Sequence, residues 1–246
     1  MKFLKNPNIP NIRASGIIVD YRISKQSIKT LKQMGIEVFF SCKIHSLYDA
    51  VCAHPDMMIH HIGNNLFIVA PEAYNHFKRL LPQAKFIKGS QLLSGKYPDD
   101  VVYNTAAFGN FVICNTACTA IEILETYRKS KKKILNVNQG YAKCSVCIIS
   151  ENAIITADQG IYNKAVENKI DVLKISEGHI DLPGMSYGFI GGASGLIAKN
   201  MLAINGDLKT HPDCNIIHDF CKNHGVEIIP LKTGKIEDIG SILPVF

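Results

Sequence analysis

The chain has 246 residues, 47% of them hydrophobic, which is enough to bury a sizeable core, and its formal net charge of +6 is too small to indicate a nucleic-acid-binding protein by itself. Its longest apolar runs are far shorter than a membrane span, so we expect no membrane partner. The N-terminus lacks the apolar segment of a signal peptide, and eight cysteines in a chain of this length are not typical of a disulfide scaffold, so we expect a cytoplasmic protein.

An internal repeat predicts the secondary structure. Four segments share the order strand, polar turn, strand, helix, strand, and they span residues 54–89, 97–138, 143–176 and 186–232. A first module, 16–41, lacks the opening strand, and the chain ends in a short predicted strand, 241–246. We expect this tail to supply the missing strand and to close a ring, which would leave no long exposed sheet edge.

Local signals predict where the helices begin. Ser24 precedes the first helix as an N-cap, and Pro71 lies in the first turn of the second. Asn115 or Thr116 caps the third, and Thr210 opens the last. Apolar runs such as 66–70 and 111–115 favour strands that are covered on both faces. The predicted fold class is therefore α/β: one domain over residues 1–246, built as a pseudo-symmetric five-bladed β/α propeller with its helices outside.

In such a ring the loops that precede each module converge on the axis, where ligands bind most often. The sharpest candidates in those loops are His179 and Asp181, which project to the same side of an extended segment. A carboxylate beside an imidazole orients it and suits general acid–base chemistry. The alternative interpretation is an ordinary loop histidine bonded to a nearby aspartate.

The five modules and the segment 178–181, Gly-His-Ile-Asp, resemble the pentein superfamily of guanidino-group-modifying enzymes. That superfamily includes arginine and agmatine deiminases, dimethylarginine hydrolases and amidinotransferases. Its Gly-His-x-Asp segment carries a catalytic histidine and a guanidinium-binding acid, so the resemblance implies these roles for His179 and Asp181. The resemblance covers nearly the whole chain in repeat order and points to an uncharacterised bacterial branch.

The chain departs from the pentein pattern at two places. Before the closing strand, where the hydrolases carry a nucleophilic cysteine, this chain has Gly240 and Ser241, and a serine hydroxyl is a weak nucleophile without a strong base. In the second module, His60 and His61 stand where the enzymes have an acid, and histidine cannot pair with a guanidinium as a carboxylate does. Whether the chain is an enzyme is therefore left open.

The remaining candidates come from the same loops and hairpins. We expect the ligand-binding wall to contain His61, Asn64, Asn104, Cys144, Asp238 and Ser241. A neighbouring Lys143 would lower the pKa of Cys144 and make that thiol reactive, which we keep as a minor alternative. The segment 54–56, His-Pro-Asp, is interpreted as a turn, and the glycine-rich segment 191–195 as a bulged hairpin.

One predicted helix carries residues that commonly bind zinc. Cys214, His218, Cys221 and His224 all lie in it, but a single helix cannot surround a tetrahedral ion with four ligands. We interpret this face as core, and we predict no metal site and no cofactor.

Two functional hypotheses remain from different classes. The first is a protein that binds a small polar, guanidino-like molecule in the axial pocket, with C–N hydrolysis or amidino transfer as its reaction if it is catalytic. The alternative is a non-catalytic binding protein similar to the ribosome anti-association factor of archaea and eukaryotes, and the modest positive charge permits such a ribosomal or nucleic-acid partner. A redox or metal role through the cysteines is a weaker third option.

Overall fold

The computed structural model describes residues 2–246 as an α/β fold. Its helices are α1 (Lys25–Gln33), α2 (Tyr74–Leu80), α3 (Ile121–Lys129), α4 (Ala142–Ser145), α5 (Gln159–Glu167) and α6 (Cys214–Asn223). Its strands are β1 (Gly16–Val19), β2 (Glu37–Phe40), β3 (Ile59–Gly63), β4 (Leu66–Val69), β5 (Lys85–Lys88), β6 (Ala106–Phe108), β7 (Phe111–Cys114), β8 (Lys133–Asn136), β9 (Cys147–Ser150), β10 (Ala153–Thr156), β11 (Asp171–Lys174), β12 (Ser194–Ala198), β13 (Met201–Ile204), β14 (Glu227–Pro230) and β15 (Leu243–Pro244).

Within residues 2–246 these strands form five sheets of three strands each. In four of them an antiparallel pair is followed, after a helix, by a third strand parallel to the second: β3–β4–β5, β6–β7–β8, β9–β10–β11 and β12–β13–β14. The remaining sheet is β15–β1–β2, in which Ile17 of β1 lies opposite Pro244 of β15. The C-terminal tail thus supplies the opening strand that the first module lacks.

Burial differs systematically across each sheet. Among the strands that precede a helix, β1 and β10 are buried along their whole length, and β4, β7 and β13 are buried in all but their first residue. The strand after each helix is partly exposed, and its own module's helix packs against it, as α1 does on β2 and α5 on β11. The apolar runs of the sequence therefore supply the inner strands, as their composition predicts.

Three helix starts differ from the prediction. Pro71 lies in a turn before α2, which begins at Tyr74, and not in the first turn of that helix. Ser24 does cap α1, where its Oγ accepts from the backbone N–H of Ser27. However, α3 begins at Ile121, because the carbonyl of Asn115 accepts from Thr119 in a preceding turn. Likewise Thr210 lies in a short 3₁₀ turn, and α6 begins four residues later, after Asp213. Ser, Thr and Asn stabilise turns as well as helix caps, so residue type alone does not separate the two.

The apolar core is divided among three clusters that adjoin one another. One joins the second and third modules around Phe67 and Phe77, another joins the fourth and fifth around Ile154 and Ile204, and the third packs α1 on β1 around Leu31. Between residues 2 and 246, no helix has the length and apolar character needed to cross a lipid bilayer.

Candidate functional site

The loops that lead into the sheets enclose a central pocket with two lobes. The aromatic lobe has a volume of about 200 Å³, and its lining includes Tyr48, Tyr141, Cys144, Tyr187 and Phe189. The charged lobe has a volume of about 210 Å³, and its lining includes Asp20, Arg22 and Glu237. Both lobes share His54, Leu182 and Asp238, which makes them two parts of one site.

Four separate parts of the chain build the floor of this pocket, which His54, Cys144 and Asp238 line, and the layer beneath it, where Asp56 and Asn104 bond to Cys144. His54 and Asp56 lie in the turn before β3, and Asn104 precedes β6. Cys144 belongs to the short helix α4 before β9, and Asp238 lies between β14 and β15. Because each of these segments leads into a different sheet, side chains that are far apart in the sequence meet at one place.

Asp56 and Ser241 anchor a buried polar network beneath the floor. Ser241 Oγ donates to Asp56 Oδ2 at 2.6 Å, and Lys143 Nζ donates to the same hydroxyl at 2.9 Å. All three side chains are at most 5% exposed. The hydroxyl therefore links a buried ammonium to a buried carboxylate, so both charges are compensated without touching directly.

The thiol of Cys144 lies between a carboxylate and an amide. Its Sγ donates to Asp56 Oδ2 at 3.1 Å and accepts from Asn104 Nδ2 at 3.1 Å. Burial and the negative charges of Asp56 and Asp238 raise the pKa of Cys144 well above its usual value. Lys143 does not lower this pKa as the sequence suggested, because burial outweighs its charge. The resting thiol is therefore protonated.

Asp238 is a buried acid without a cationic partner. Its carboxylate accepts from the backbone N–H groups of Gly240 and Phe189, both at 2.9 Å, and within residues 2–246 no lysine or arginine forms an ion pair with it. Burial and the charge of Asp56 raise the pKa of Asp238 to about 7. The pocket thus contains a carboxyl group that any bound cation would favour in its ionised form.

His54 is held as a neutral imidazole between two acids. Its Nδ1 lies 3.8 Å from Asp238 Oδ1, and its Nε2 lies 4.0 Å from Asp20 Oδ2. Burial lowers the pKa of His54 to about 4, although Asp56 opposes this. Arg22, which binds Asp20 through its guanidinium at 2.6 Å, further disfavours the imidazolium. At neutral pH His54 can therefore either accept or donate a hydrogen bond.

The glycine-rich segment 191–195 lies directly against this site. A Cβ at Gly192 would collide with the carboxylate of Asp238, and one at Gly191 would collide with the backbone of Val146. The carbonyl of Gly192 accepts from the backbone N–H of Ser241 at 2.6 Å. The two glycines therefore allow the close approach that holds Asp238 and Ser241 in place.

A tyrosine pair forms the rim of the aromatic lobe. The hydroxyls of Tyr48 and Tyr141 are 2.6 Å apart, and that of Tyr141 also donates to Asp100. The rings of Tyr141 and Phe189 stack with their centroids 6.0 Å apart, and Tyr187 meets Phe189 edge-on. These contacts create a rigid aromatic wall above the acidic floor.

Four of the predicted site residues are brought together here. Asn104, Cys144, Asp238 and Ser241 all belong to the floor or to the network beneath it. His61 and Asn64 lie elsewhere, since the His61 ring stacks on Phe67 in β4 and Asn64 is an exposed residue of the hairpin turn. Their position in a hairpin places them away from the loops that converge on the pocket.

The structure also places His179 and Asp181 outside the pocket. Both are exposed; the His179 ring packs edge-on against His211, and Asp181 pairs with Lys235 at 3.3 Å. Their side chains share one face, as alternation requires, but Ile180 and Leu182 occupy the inner face. The residue of this segment that reaches the pocket is therefore Leu182.

Sequence reasoning missed His54 and Asp56. The segment His-Pro-Asp forms the predicted turn, but a short 3₁₀ helix starting at Pro55 directs both polar side chains inward, where they are 1% and 2% exposed. The segment His-Pro-Asp lies at the start of the second module, in the position that Lys143 and Cys144 occupy in the fourth. This correspondence was a signal in the sequence that could have identified His54 and Asp56 as site residues.

A family model matches residues 18–243 and is described as a family of unknown function, DUF6873. The chain belongs to this family. A search of curated proteins finds no match. The DUF6873 chain is, however, similar to several solved structures.

One of these is an inosamine-phosphate amidinotransferase from Streptomyces griseus, with a TM-score of 0.61 and 11% identity over 99% of this chain and 97% of that one. A second is DDAH from Pseudomonas aeruginosa in a variant complexed with citrulline, with a TM-score of 0.60 and 9% identity over 95% and 100% of the two chains. A third is an agmatine deiminase from C. jejuni with substrate bound, with a TM-score of 0.60 and 10% identity over 99% and 96%. At such identities the likeness shows the fold: it is that of the pentein superfamily, as the repeat predicts.

Proposed function

We propose that the central pocket of this DUF6873 protein binds a small organic cation of the guanidino type, with Asp238 as its counter-ion. The observation that carries the proposal is the state of Asp238, an acid that is 3% exposed, lines both lobes and has no cationic partner among residues 2–246. A buried carboxylate without a counter-ion costs stability, and a bound cation would remove that cost.

The aromatic lobe suits the same ligand. A guanidinium is planar and stacks on aromatic faces, and Tyr141, Tyr187 and Phe189 line the same lobe as Asp238. The fold adds support, because the similar solved structures include an amidinotransferase and an agmatine deiminase. We therefore infer that the charged end of the ligand lies on the floor and its carbon skeleton against the wall.

The ring architecture belongs to the proposal as well. We infer that the chain is one domain in which the five sheets are propeller blades, closed by the C-terminal strand. Contacts of β12 with both β15 and β9 support this order, because they link the fifth sheet to the first and to the fourth. A closed ring would place the central pocket on its axis.

For chemistry at a C–N bond, Cys144 is the candidate nucleophile. Its thiol lines the aromatic lobe, and Asp56 Oδ2, 3.1 Å away, is positioned to receive its proton. A cation bound nearby would lower the pKa of the thiol, because it stabilises the thiolate. Ser241 stands where the pentein hydrolases carry their nucleophilic cysteine. Its side chain is 0% exposed and is hydrogen-bonded to both Lys143 and Asp56, so we assign it a structural role.

The raised pKa of Cys144 favours a second candidate function, which is binding of the same ligand without turnover. A thiol that remains protonated does not attack a guanidinium carbon. The two candidates share the pocket and differ only in whether ligand binding ionises Cys144.

Calorimetric titration with arginine, agmatine, methylarginines and guanidinium, with urea as the neutral comparison, tests the proposal. We expect one of the cations to bind with one site per chain and urea not to bind. Asp238→Asn keeps the shape but removes the charge, and loss of a buried charge partner costs about 2 kcal/mol or more, so affinity should fall about 30-fold or more. The matched control, Asp181→Asn, should bind as the wild type does.

An assay for ureido product separates the two candidates. Turnover that Cys144→Ala abolishes while binding persists would establish the hydrolase, whereas tight binding with no product would establish the binder. Failure of every guanidino compound to bind, or unchanged binding by Asp238→Asn, would overturn the proposed function.

A further inference from the structure

Beneath the central pocket, His54, Asp56 and Cys144 bring three kinds of metal ligand together. One ligand atom from each, a ring nitrogen, a carboxylate oxygen and the sulfur, lies within 4.8 Å of the other two. All three side chains are at most 2% exposed. In the described part of the chain, residues 2–246, no other cluster of His, Cys, Asp or Glu side chains meets this spacing.

Two atoms of this cluster lack the hydrogen bonds that burial demands. His54 Nδ1 and Asp56 Oδ1 are buried, and neither has a hydrogen-bond partner among residues 2–246. Burial of a polar atom without a partner costs about 1–3 kcal/mol, so native proteins satisfy nearly all such atoms. Two unsatisfied atoms beside a buried thiol therefore indicate a missing partner that accepts electron pairs, as a metal cation does.

We propose that His54, Asp56 and Cys144 bind one zinc ion, with the fourth coordination position open to the central pocket. Zinc accepts nitrogen, oxygen and thiolate ligands, and three protein ligands with one open position are typical of its accessible sites. His54 and Cys144 both line the aromatic lobe, so a water or ligand atom from the pocket can reach the ion.

The surrounding hydrogen bonds orient the ligands. Asn104 Nδ2 donates to Cys144 Sγ, and Ser241 Oγ donates to Asp56 Oδ2, which leaves Oδ1 of that carboxylate free. Such outer partners fix the direction of metal ligands and stabilise a thiolate. Lys143 bonds to the hydroxyl of Ser241, so its ammonium does not occupy the free oxygen of Asp56.

The three ligand atoms must move closer together to bind a zinc ion. Bonds of about 2.0–2.3 Å to a tetrahedral zinc place neighbouring ligand atoms roughly 3.3–3.8 Å apart. The three ligand atoms lie within 4.8 Å of one another, so binding would draw them together through rotation of their side chains. On binding, the Cys144 S–H proton leaves to solvent, the sulfur donates an electron pair to the ion, and no redox change occurs.

Metal binding here does not require the proposed organic ligand, because Asp238 would hold that cation and is not one of the three zinc ligands. An occupied zinc site would nevertheless engage Cys144 and place a double positive charge beneath Asp238. We therefore expect zinc and the guanidino compound to weaken each other's binding.

Cobalt substitution tests the site with the full chain. The reduced protein, stripped with a chelator, is titrated with Co²⁺ and followed by absorption, then back-titrated with Zn²⁺. We expect one equivalent of Co²⁺ to give the visible bands of a four-coordinate ion and a near-ultraviolet sulfur-to-cobalt band, and Zn²⁺ to remove both.

Variants assign the ligands. Cys144→Ser should lose the sulfur-to-cobalt band, whereas Cys221→Ser, which changes a buried cysteine of α6, should keep it. If Cys144→Ser does not fold, Asp56→Asn and His54→Asn supply the test, since each should keep the sulfur band but weaken affinity at least about 10-fold. Absence of stoichiometric Co²⁺ binding by the wild type, or an unchanged sulfur band in Cys144→Ser, would overturn the zinc site while leaving the calorimetric result for Asp238 unaffected.

Discussion

Two of the three His-x-Asp segments of this chain have opposite surroundings. In residues 54–56 both polar side chains are buried at or beneath the pocket floor, whereas in residues 179–181 both face solvent. The difference lies in the local backbone. A 3₁₀ turn at Pro55 directs His54 and Asp56 inward, while extended pairing with Glu237 directs Ile180 inward and its neighbours outward.

The comparison shows that spacing alone does not make a catalytic pair. An imidazole and a carboxylate acquire unusual properties only where burial removes water and other charges stand close. The substitutions below change residues of these segments or other buried and exposed residues. Each result can support or contradict the difference between buried and exposed groups.

The largest expected effect separates the two aspartates. Asp56→Ala leaves Lys143 as an uncompensated buried charge, so we expect the free energy of unfolding to fall by about 3–5 kcal/mol. Asp181→Ala removes an exposed ion pair with Lys235 and should change it by less than about 0.5 kcal/mol. Urea denaturation of both variants measures the difference, and equal losses would contradict the assignment of a buried network.

The next effect tests the buried histidine His60 through the pH dependence of stability. Burial lowers the pKa of His60 in the folded protein to about 3, against 6.5 for the ordinary residue. Below pH 6.5 the unfolded chain therefore binds more protons than the folded one, and stability is lost as the pH falls towards 3. At 1.36 kcal/mol per unit, His60 alone should remove about 2–3 kcal/mol between pH 6.5 and 4.5.

Denaturation at several pH values checks this slope. His60→Gln, which can still bond to the hydroxyl of Tyr127, should flatten it by about that amount. A wild-type slope in His60→Gln would mean that His60 is not the buried neutral base described here.

The smallest effect concerns the aromatic wall. Tyr187 is 37% exposed at the pocket, and loss of one cation–π contact costs about 0.5–2 kcal/mol, so Tyr187→Ala should weaken guanidino binding roughly 2- to 30-fold. Tyr162→Ala, on α5 away from the pocket, should leave the affinity unchanged. Calorimetry measures the affinity of both variants for the guanidino compound. Equal affinities would contradict a role of the aromatic wall in binding.

The order of elements was predictable because the repeat is carried by local signals. Apolar runs, hairpin turns and the helix cap at Ser24 are determined by a few neighbouring residues. The same local signals predict that Asn104, Cys144, Asp238 and Ser241 lie in loops that converge. The positions of His54 and His179 were not predictable in the same way. Which face of an extended segment points inward depends here on the bridge between Asp181 and Glu237, more than fifty residues away. A Pro-Asp turn looks the same in sequence whether it is buried or exposed.

A crystal structure with a bound guanidino compound tests the central claim most directly. The account predicts the guanidinium in the central pocket, with its nitrogens about 3 Å from the carboxylate of Asp238 and its plane against the aromatic wall. A guanidinium bound instead at the surface beside His179 and Asp181, with the central pocket holding only water, would contradict it.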